Sequence, residues 1–196
     1  MGASVHAFKE PTRLEAAHDF LWRVHAAAPP RGHIAIFNRS HYEDVLVPRV
    51  HRTVAHETIA KRFDRINEFE KNLVQAGTHI LKFYLHIGKD EQLKRFKARL
   101  DDPQRRWKIS ESDYTERKHW DDYRKAYEDV LERTSTHRAP WFVIPANHKW
   151  FRNLAVARIV ADAMDDLHPQ MPKPTVDVDA IRREYHAAEA GGKAGS

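Results

Sequence analysis

Apolar positions along the chain alternate between two rhythms. Short runs of β-branched, aromatic and aliphatic residues stand at Val5–Phe8, His33–Phe37, His79–Ile87 and Trp141–Pro145. Each is too short for a helix and reads as a strand. Between them apolar residues recur every three or four positions, as on one face of a helix. Thr12 followed by Glu15 forms a capping box, and Leu14, Ala17, Phe20, Leu21 and Val24 then predict a helix that Pro29-Pro30-Arg31-Gly32 stops. Phe63, Ile66, Phe69, Leu73 and Val74 predict a second over Lys61–Ala76, closed by Gly77. A third runs Lys89–Leu100 with Leu93, Phe96 and Leu100 inward, and Asp101-Asp102-Pro103-Gln104 breaks it. Ser112–Thr134 reads as one long helix with Tyr123, Ala126, Tyr127, Val130 and Leu131 buried. His148–Leu167 is another amphipathic helix, and a weaker signal spans Val178–Ala190.

Short strands alternating with amphipathic helices predict an α/β fold, a parallel sheet flanked by helices with right-handed crossovers. The all-apolar run at Ile34–Phe37 predicts a strand buried on both faces. One domain is expected over residues 1–167, with 168–196 as a partly helical, proline-interrupted tail. Ligands of such sheets bind beyond the strands' carboxyl ends. That rule marks the polar cluster after Phe37 and the region after Ile87.

Composition narrows the classes. A chain of 196 residues with 41% hydrophobic and 31% charged residues can fold as one globular domain. No apolar run reaches the roughly 18 residues of a membrane span, so no membrane association is expected. The first residues lack a secretory pattern, and a cytoplasmic location is expected. Cysteine is absent, which excludes disulfides and thiolate chemistry. The 14 histidines include no HExxH pair. A net charge of +5 permits an anionic partner without choosing one.

Three constellations carry candidate chemistry. Asn38-Arg39-Ser40-His41-Tyr42-Glu43-Asp44 follows a strand with an arginine and two carboxylates. Arginine neutralises phosphate oxygens and carboxylates hold Mg²⁺, so the cluster suits a metal–phosphate site. Glu43 and Asp44 equally suit the first turn of a helix, where negative charge complements the dipole. Arg95, Arg99, Asp102, Arg105, Arg106, Trp107 and Lys108 gather cations around a helix-to-loop junction, as in a basic lid or a solvated helix face. Glu116–Tyr123 sets aromatic residues beside charges, and at helical spacing Trp120 and Tyr123 read as core.

Longer strings go beyond such patterns. GHIAIFNRSHYEDVLVPRVH (Gly32–His51), LKFYLHIGKDEQLKRFKARLDDPQRRWKIS (Leu81–Ser110) and the stretch Glu116–Val160 resemble the signature segments of family-2 polyphosphate kinases. The resemblance covers most of Val5 to about Leu167. It implies a thymidylate-kinase-like P-loop sandwich with a helical lid at about residues 95–120. It also implies Mg²⁺-assisted phosphoryl transfer between inorganic polyphosphate and a nucleotide, ADP or AMP on one side and ATP on the other. Carried over by position, Asn38, Arg39 and Arg49 would face phosphates, while Glu43 and Asp44 would be the metal-side carboxylates. Arg39, Glu43 and Asp44 would form the catalytic set. Arg95, Arg99, Arg105, Arg106 and Lys108 would contact phosphates from the lid, with Trp107 and Trp120 holding its shape. Some branches of the family carry Asp where this chain has Asn38, which shifts metal binding downstream.

Family members place a strand, a lysine-bearing Walker A loop and a helix before the segment equivalent to Val5. No GxxxxGK[ST] occurs in these 196 residues. The Gly191–Ser196 string has glycines and a lysine without the strand-loop-helix context. The resemblance therefore implies a chain truncated at its N-terminus and lacking Walker A, with an apolar strand edge open to pairing and hence a homo-oligomer. Two other functions remain open: a weakly active or inactive remnant that binds polyphosphate or nucleotide, and a nucleic-acid module on the same basic surface. The second has no recognition motif to support it.

Overall fold

The computed structural model describes residues 2–170 and 173–193. Element order is β1 (Ala3–Ala7), α1 (Arg13–Ala16), α2 (Trp22–Ala27), β2 (Ile34–Asn38), α3 (Glu43–Val50), α4 (His56–Gln75), β3 (Lys82–His86) and α5 (Lys89–Asp101). A 3-10 turn at Arg106–Lys108 leads to α6 (Glu111–Arg117), α7 (Trp120–Thr134), β4 (Trp141–Pro145), α8 (Lys149–Leu167) and α9 (Val178–Lys193). The chain divides into two compact units, 1–157 and 158–196, and the division falls inside α8. Of the glycine-rich string at 191–196, residues 194–196 lie outside the described part.

The architecture is α/β, as the alternating rhythms predict. Its strands form two parallel pairs. β1 lies beside β2, with Val5 opposite Ile36 and Ala7 opposite Asn38. β3 lies beside β4, with Lys82 opposite Trp141 and His86 opposite Pro145. A parallel pair needs a crossover, supplied by α1 and α2 in the first case and by α5 through α7 in the second. β2 departs from expectation: Ile34 is 46% and Ile36 52% exposed, so one face of the strand is open. An all-apolar run records that a strand can be buried on both faces; which neighbours cover it is a tertiary matter.

Two predicted helices are each divided. The Thr12 capping box forms as expected, with Thr12 Oγ1 accepting from Glu15 N and Glu15 Oε2 accepting from Thr12 N. Yet α1 stops at Ala16, because Asp19 starts a new turn by accepting the Leu21 amide on its own carboxylate at 3.0 Å. The long helix after Ser112 is interrupted at Lys118-His119, so α6 and α7 are separate. In α5 only Phe96 is buried, while Leu93 and Leu100 are 46% and 43% exposed. Gly77 at φ 93° follows the end of α4, a conformation a side chain would strain.

The core is mainly helical. Ile59, Phe63, Ile66 and Phe69 of α4 pack with Val45, Leu46 and Val50 of α3, Ala126 and Val130 of α7, and Val24 of α2. Phe8 and Tyr42 close this core next to the ends of β1 and β2. The loop after β2 is thereby seated on this core.

Candidate functional site

β2 ends at Asn38, whose carbonyl accepts the Phe8 amide at 3.2 Å and extends the ladder one step past β1. Arg39 then takes φ 58°. A non-glycine residue in that left-handed region costs of order 1–3 kcal/mol and persists where its surroundings over-determine it. Ser40 Oγ accepts the Tyr42 amide at 3.4 Å, and α3 opens with Glu43 and Asp44 in its first turn. The helix-start reading of these acids is thus met by the structure, and it does not exclude a second role.

The two carboxylates have different neighbours. Asp44 Oδ2 accepts from Arg23 Nη2 at 3.3 Å, with the two side chains only 17% and 8% exposed. Arg62 Nη1 donates to the Asp44 carbonyl at 2.6 Å, bracing the same turn. Glu43 has no hydrogen bond to its carboxylate among the described residues; its electrostatic partners are Arg39, Asp44 and Arg23. Burial pushes both acids above the ordinary carboxylate range, against the pull of Arg39 on Glu43 and of Arg23 on Asp44. Tyr127 stands close enough to feel both Glu43 and Arg39, and burial raises its phenol well above the usual value. Tyr84 stacks on Tyr127 with centroids 4.6 Å apart. Arg39, Glu43 and the Tyr127–Tyr84 pair therefore gather at the carboxyl end of β2.

The other candidate residues divide into engaged and presented groups. Arg49 pairs with Asp129, joining α3 to α7. Arg95 is turned inward, donating to the Ala146 carbonyl at 2.6 Å, the Asn147 carbonyl at 3.1 Å and Glu91 at 2.8 Å. Arg105 pairs with Asp102 at 2.8 Å, and Arg106 Nε donates to the Leu100 carbonyl at 2.9 Å. Arg99 lies over the Phe96 ring at 5.6 Å, and Lys108 over Trp107 at 4.9 Å. Trp107 is 78% exposed, so it presents Lys108 to solvent rather than sealing the segment. The turn at 106–108 follows α5 directly, with Arg106 bonded back to the carbonyl of Leu100 near the end of that helix.

Sequence reasoning passed over Arg23, Arg62, Glu70 and Lys82, and gave Tyr42 no role beyond membership of the cluster after β2. One signal was there to read. Glu70 lies four positions after Ile66 and next to Phe69, on the buried side of α4, where an acid is out of place unless it is paired.

Comparison with known proteins decides the lineage. The family described as Polyphosphate kinase 2 (PPK2) matches residues 1–172. The chain belongs to the polyphosphate kinase 2 family. It is 50% identical over 180 residues to the AMP/ADP-polyphosphate phosphotransferase of Meiothermus ruber, covering 92% of this chain and 67% of that protein. It is 42% identical over 186 residues to the ADP-polyphosphate phosphotransferase of Rhodopseudomonas palustris, covering 89% and 64%. The crystal structure of polyphosphate kinase 2 from Arthrobacter aurescens TC1 superimposes with a TM-score of 0.90 at 46% identity, covering 95% of this chain and 66% of that one. The chain thus spans about two thirds of the length of these polyphosphate kinase 2 relatives. The P-loop-kinase-like α/β fold expected from the resemblance accords with that superposition.

Among the described residues no three acidic or histidine side chains converge on a metal position. Mg²⁺ needs no such cage, because it takes one or two carboxylates and fills its shell with phosphate oxygens and water. Glu43 fits that requirement, being acidic, unbonded and beside Arg39. No described helix is long and apolar enough to cross a membrane.

Proposed function

We propose that the chain serves phosphoryl transfer between inorganic polyphosphate and a nucleoside mono- or diphosphate, with Mg²⁺ as cofactor. The observation that carries this reading is that Arg39, left-handed just past β2, lies within electrostatic reach of Glu43, whose carboxylate no described residue hydrogen-bonds, within a polyphosphate kinase 2 chain. Bound Mg²⁺ would neutralise charge on the phosphate oxygens and order them. Glu43 would hold it, and Arg39 would pair with phosphate oxygens in the planar, two-pronged manner of a guanidinium. Asp44 enters through Arg23, which fixes the first turn of α3. Lys108 and the basic residues around it would hold the polyphosphate chain, with Arg99 and Arg105 adding positive field. Arg95 keeps the loop after β4 in place, and Arg49 locks α3 to α7.

The test is transfer of phosphate from polyphosphate to ADP or AMP with Mg²⁺, comparing the parent chain with Arg39→Gly. Glycine accepts φ 58° without strain, so the variant should melt at or above the parent temperature while turnover falls at least tenfold, about 1.4 kcal/mol of barrier. A variant of unchanged turnover would remove Arg39 from the site. A parent without transfer, yet with polyphosphate binding, would favour the reading of a binding remnant.

A further inference from the structure

Beneath the site lies a polar cluster that the proposed chemistry does not use. Lys82, the first residue of β3, is 5% exposed and Glu70 of α4 is 2% exposed. Lys82 Nζ donates to Glu70 Oε2 at 2.7 Å, to the Thr134 carbonyl at 2.7 Å and to the Tyr42 hydroxyl at 3.0 Å. All three ammonium protons are therefore placed. Tyr42 in turn donates its hydroxyl proton to Glu70 Oε1 at 2.7 Å. Thr134 Oγ1 accepts from Trp141 Nε1 at 2.9 Å and donates to the Val130 carbonyl at 2.6 Å. His41 Nε2 stands 3.4 Å from Glu70 Oε1, an electrostatic contact without hydrogen-bond geometry, and neither ring nitrogen has a hydrogen-bond partner among the described residues. Burial opposes the Glu70 charge, yet its neighbours His41, Lys82 and Tyr42 hold its carboxyl below the ordinary range. Burial draws Lys82 down despite Glu70. The two form a charged pair sealed from water.

A buried ion pair is a poor source of stability, since well-packed apolar residues of the same volume often do as well or better. What such a network supplies is direction. Tyr42 stands at the N-cap position of α3, one residue before Glu43 and three after the left-handed Arg39. No side chain caps that helix start. The hydroxyl of Tyr42, held by two bonds, ties the start of the helix to the core, while Arg62 and Arg23 hold the same turn at Asp44.

We propose that Tyr42, Glu70 and Lys82 are positioning residues that fix the backbone of residues 39–44, and through it the directions of Arg39 and Glu43. The idea rests on the functional reading above for its consequence in turnover, though not for its structural content. Tyr42→Phe removes the hydroxyl and leaves the ring in the core. It should melt close to the parent, while backbone amides of 39–45 exchange with solvent at least tenfold faster and those of α7 stay as they were. Its kcat should fall about tenfold, with KM for polyphosphate, set by the segment around Lys108, unchanged.

The paired variant Glu70→Gln with Lys82→Met covers a Tyr42→Phe chain that fails to fold, and predicts the same local loosening. Unchanged exchange at 39–45 in a folded variant overturns the proposal, and so does a lowered melting temperature with parental kcat. If the parent itself transfers no phosphate, the functional reading fails, and the exchange measurement alone still decides the network.

Discussion

Arg23 Nη2 lies 3.3 Å from Asp44 Oδ2, and this contact gives two adjacent carboxylates different neighbours, since no described residue hydrogen-bonds the Glu43 carboxylate. The same guanidinium donates to the Lys9 carbonyl at 2.8 Å and stands 5.4 Å over the Phe8 ring. One side chain of α2 thereby joins the segment after β1 to the first turn of α3. Arg23→Met should lower stability by roughly 3–5 kcal/mol, because it leaves a largely buried Asp44 unpaired. Adding Asp44→Leu to that variant should recover most of the loss. Denaturant unfolding measures both, and a loss under about 1 kcal/mol for Arg23→Met would place the pair among surface bridges.

Glu43 makes an opposite prediction. Its folded pKa is raised by burial, so the native state keeps a proton that the unfolded chain has already released. Its contribution is neutral below the ordinary carboxylate pKa, and stability falls as pH rises from there through the raised value. Glu43→Gln removes that loss. The variant should melt higher than the parent near pH 7 and show a flatter profile as pH rises above the ordinary carboxylate pKa of about 4.3. Mg²⁺ should raise the melting temperature of the parent and leave Glu43→Gln unmoved. If Asp44→Asn loses the Mg²⁺ effect and Glu43→Gln keeps it, the assignment of the two acids is reversed.

The basic segment contains residues of two kinds, and binding should tell them apart. Lys108→Ala should weaken polyphosphate binding without altering the melting temperature, since its described partner is the exposed Trp107 ring. Arg95→Ala should chiefly destabilise, by about 1.5–3 kcal/mol, because it forfeits charge-assisted bonds to the Ala146 and Asn147 carbonyls. Parent affinity should drop as salt screens the cations. Titration of labelled polyphosphate at two ionic strengths tests Lys108 and the salt dependence, denaturant unfolding tests Arg95, and an affinity insensitive to both Lys108→Ala and salt would count against the basic segment.

At the N-terminal edge, Thr12→Ala should cost about 1 kcal/mol by removing the hydroxyl that accepts the Glu15 amide, while the Thr12 N–H can still donate to the Glu15 carboxylate. α1 is four residues long and has no buried residue to compensate. Thr12→Ser should recover most of that loss, and thermal melts of the two variants against the parent decide it.

Local chemistry was legible from the chain alone. The Thr12–Glu15 box, the stop at Gly77 and the four strands follow from period, capping and glycine geometry, which act between residues a few positions apart. The strings around Asn38–Asp44 and Arg95–Lys108 marked where an anion site should lie, because strand ends and cation clusters are sequence properties. Tertiary structure decided what those residues are free to do. Nothing in the sequence distinguishes Glu43 from Asp44, since the difference is Arg23, 21 positions away in the chain and 3.3 Å away in space. Arg95 read as a lid cation until the loop after β4 supplied carbonyls to hold it. The pairing of Glu70 with Lys82 was likewise invisible except as one acid in an apolar stripe, because a buried charge is tolerated only where the fold brings its partner. Propensity is set by neighbours in sequence, whereas the availability of a charged group is set by neighbours in space.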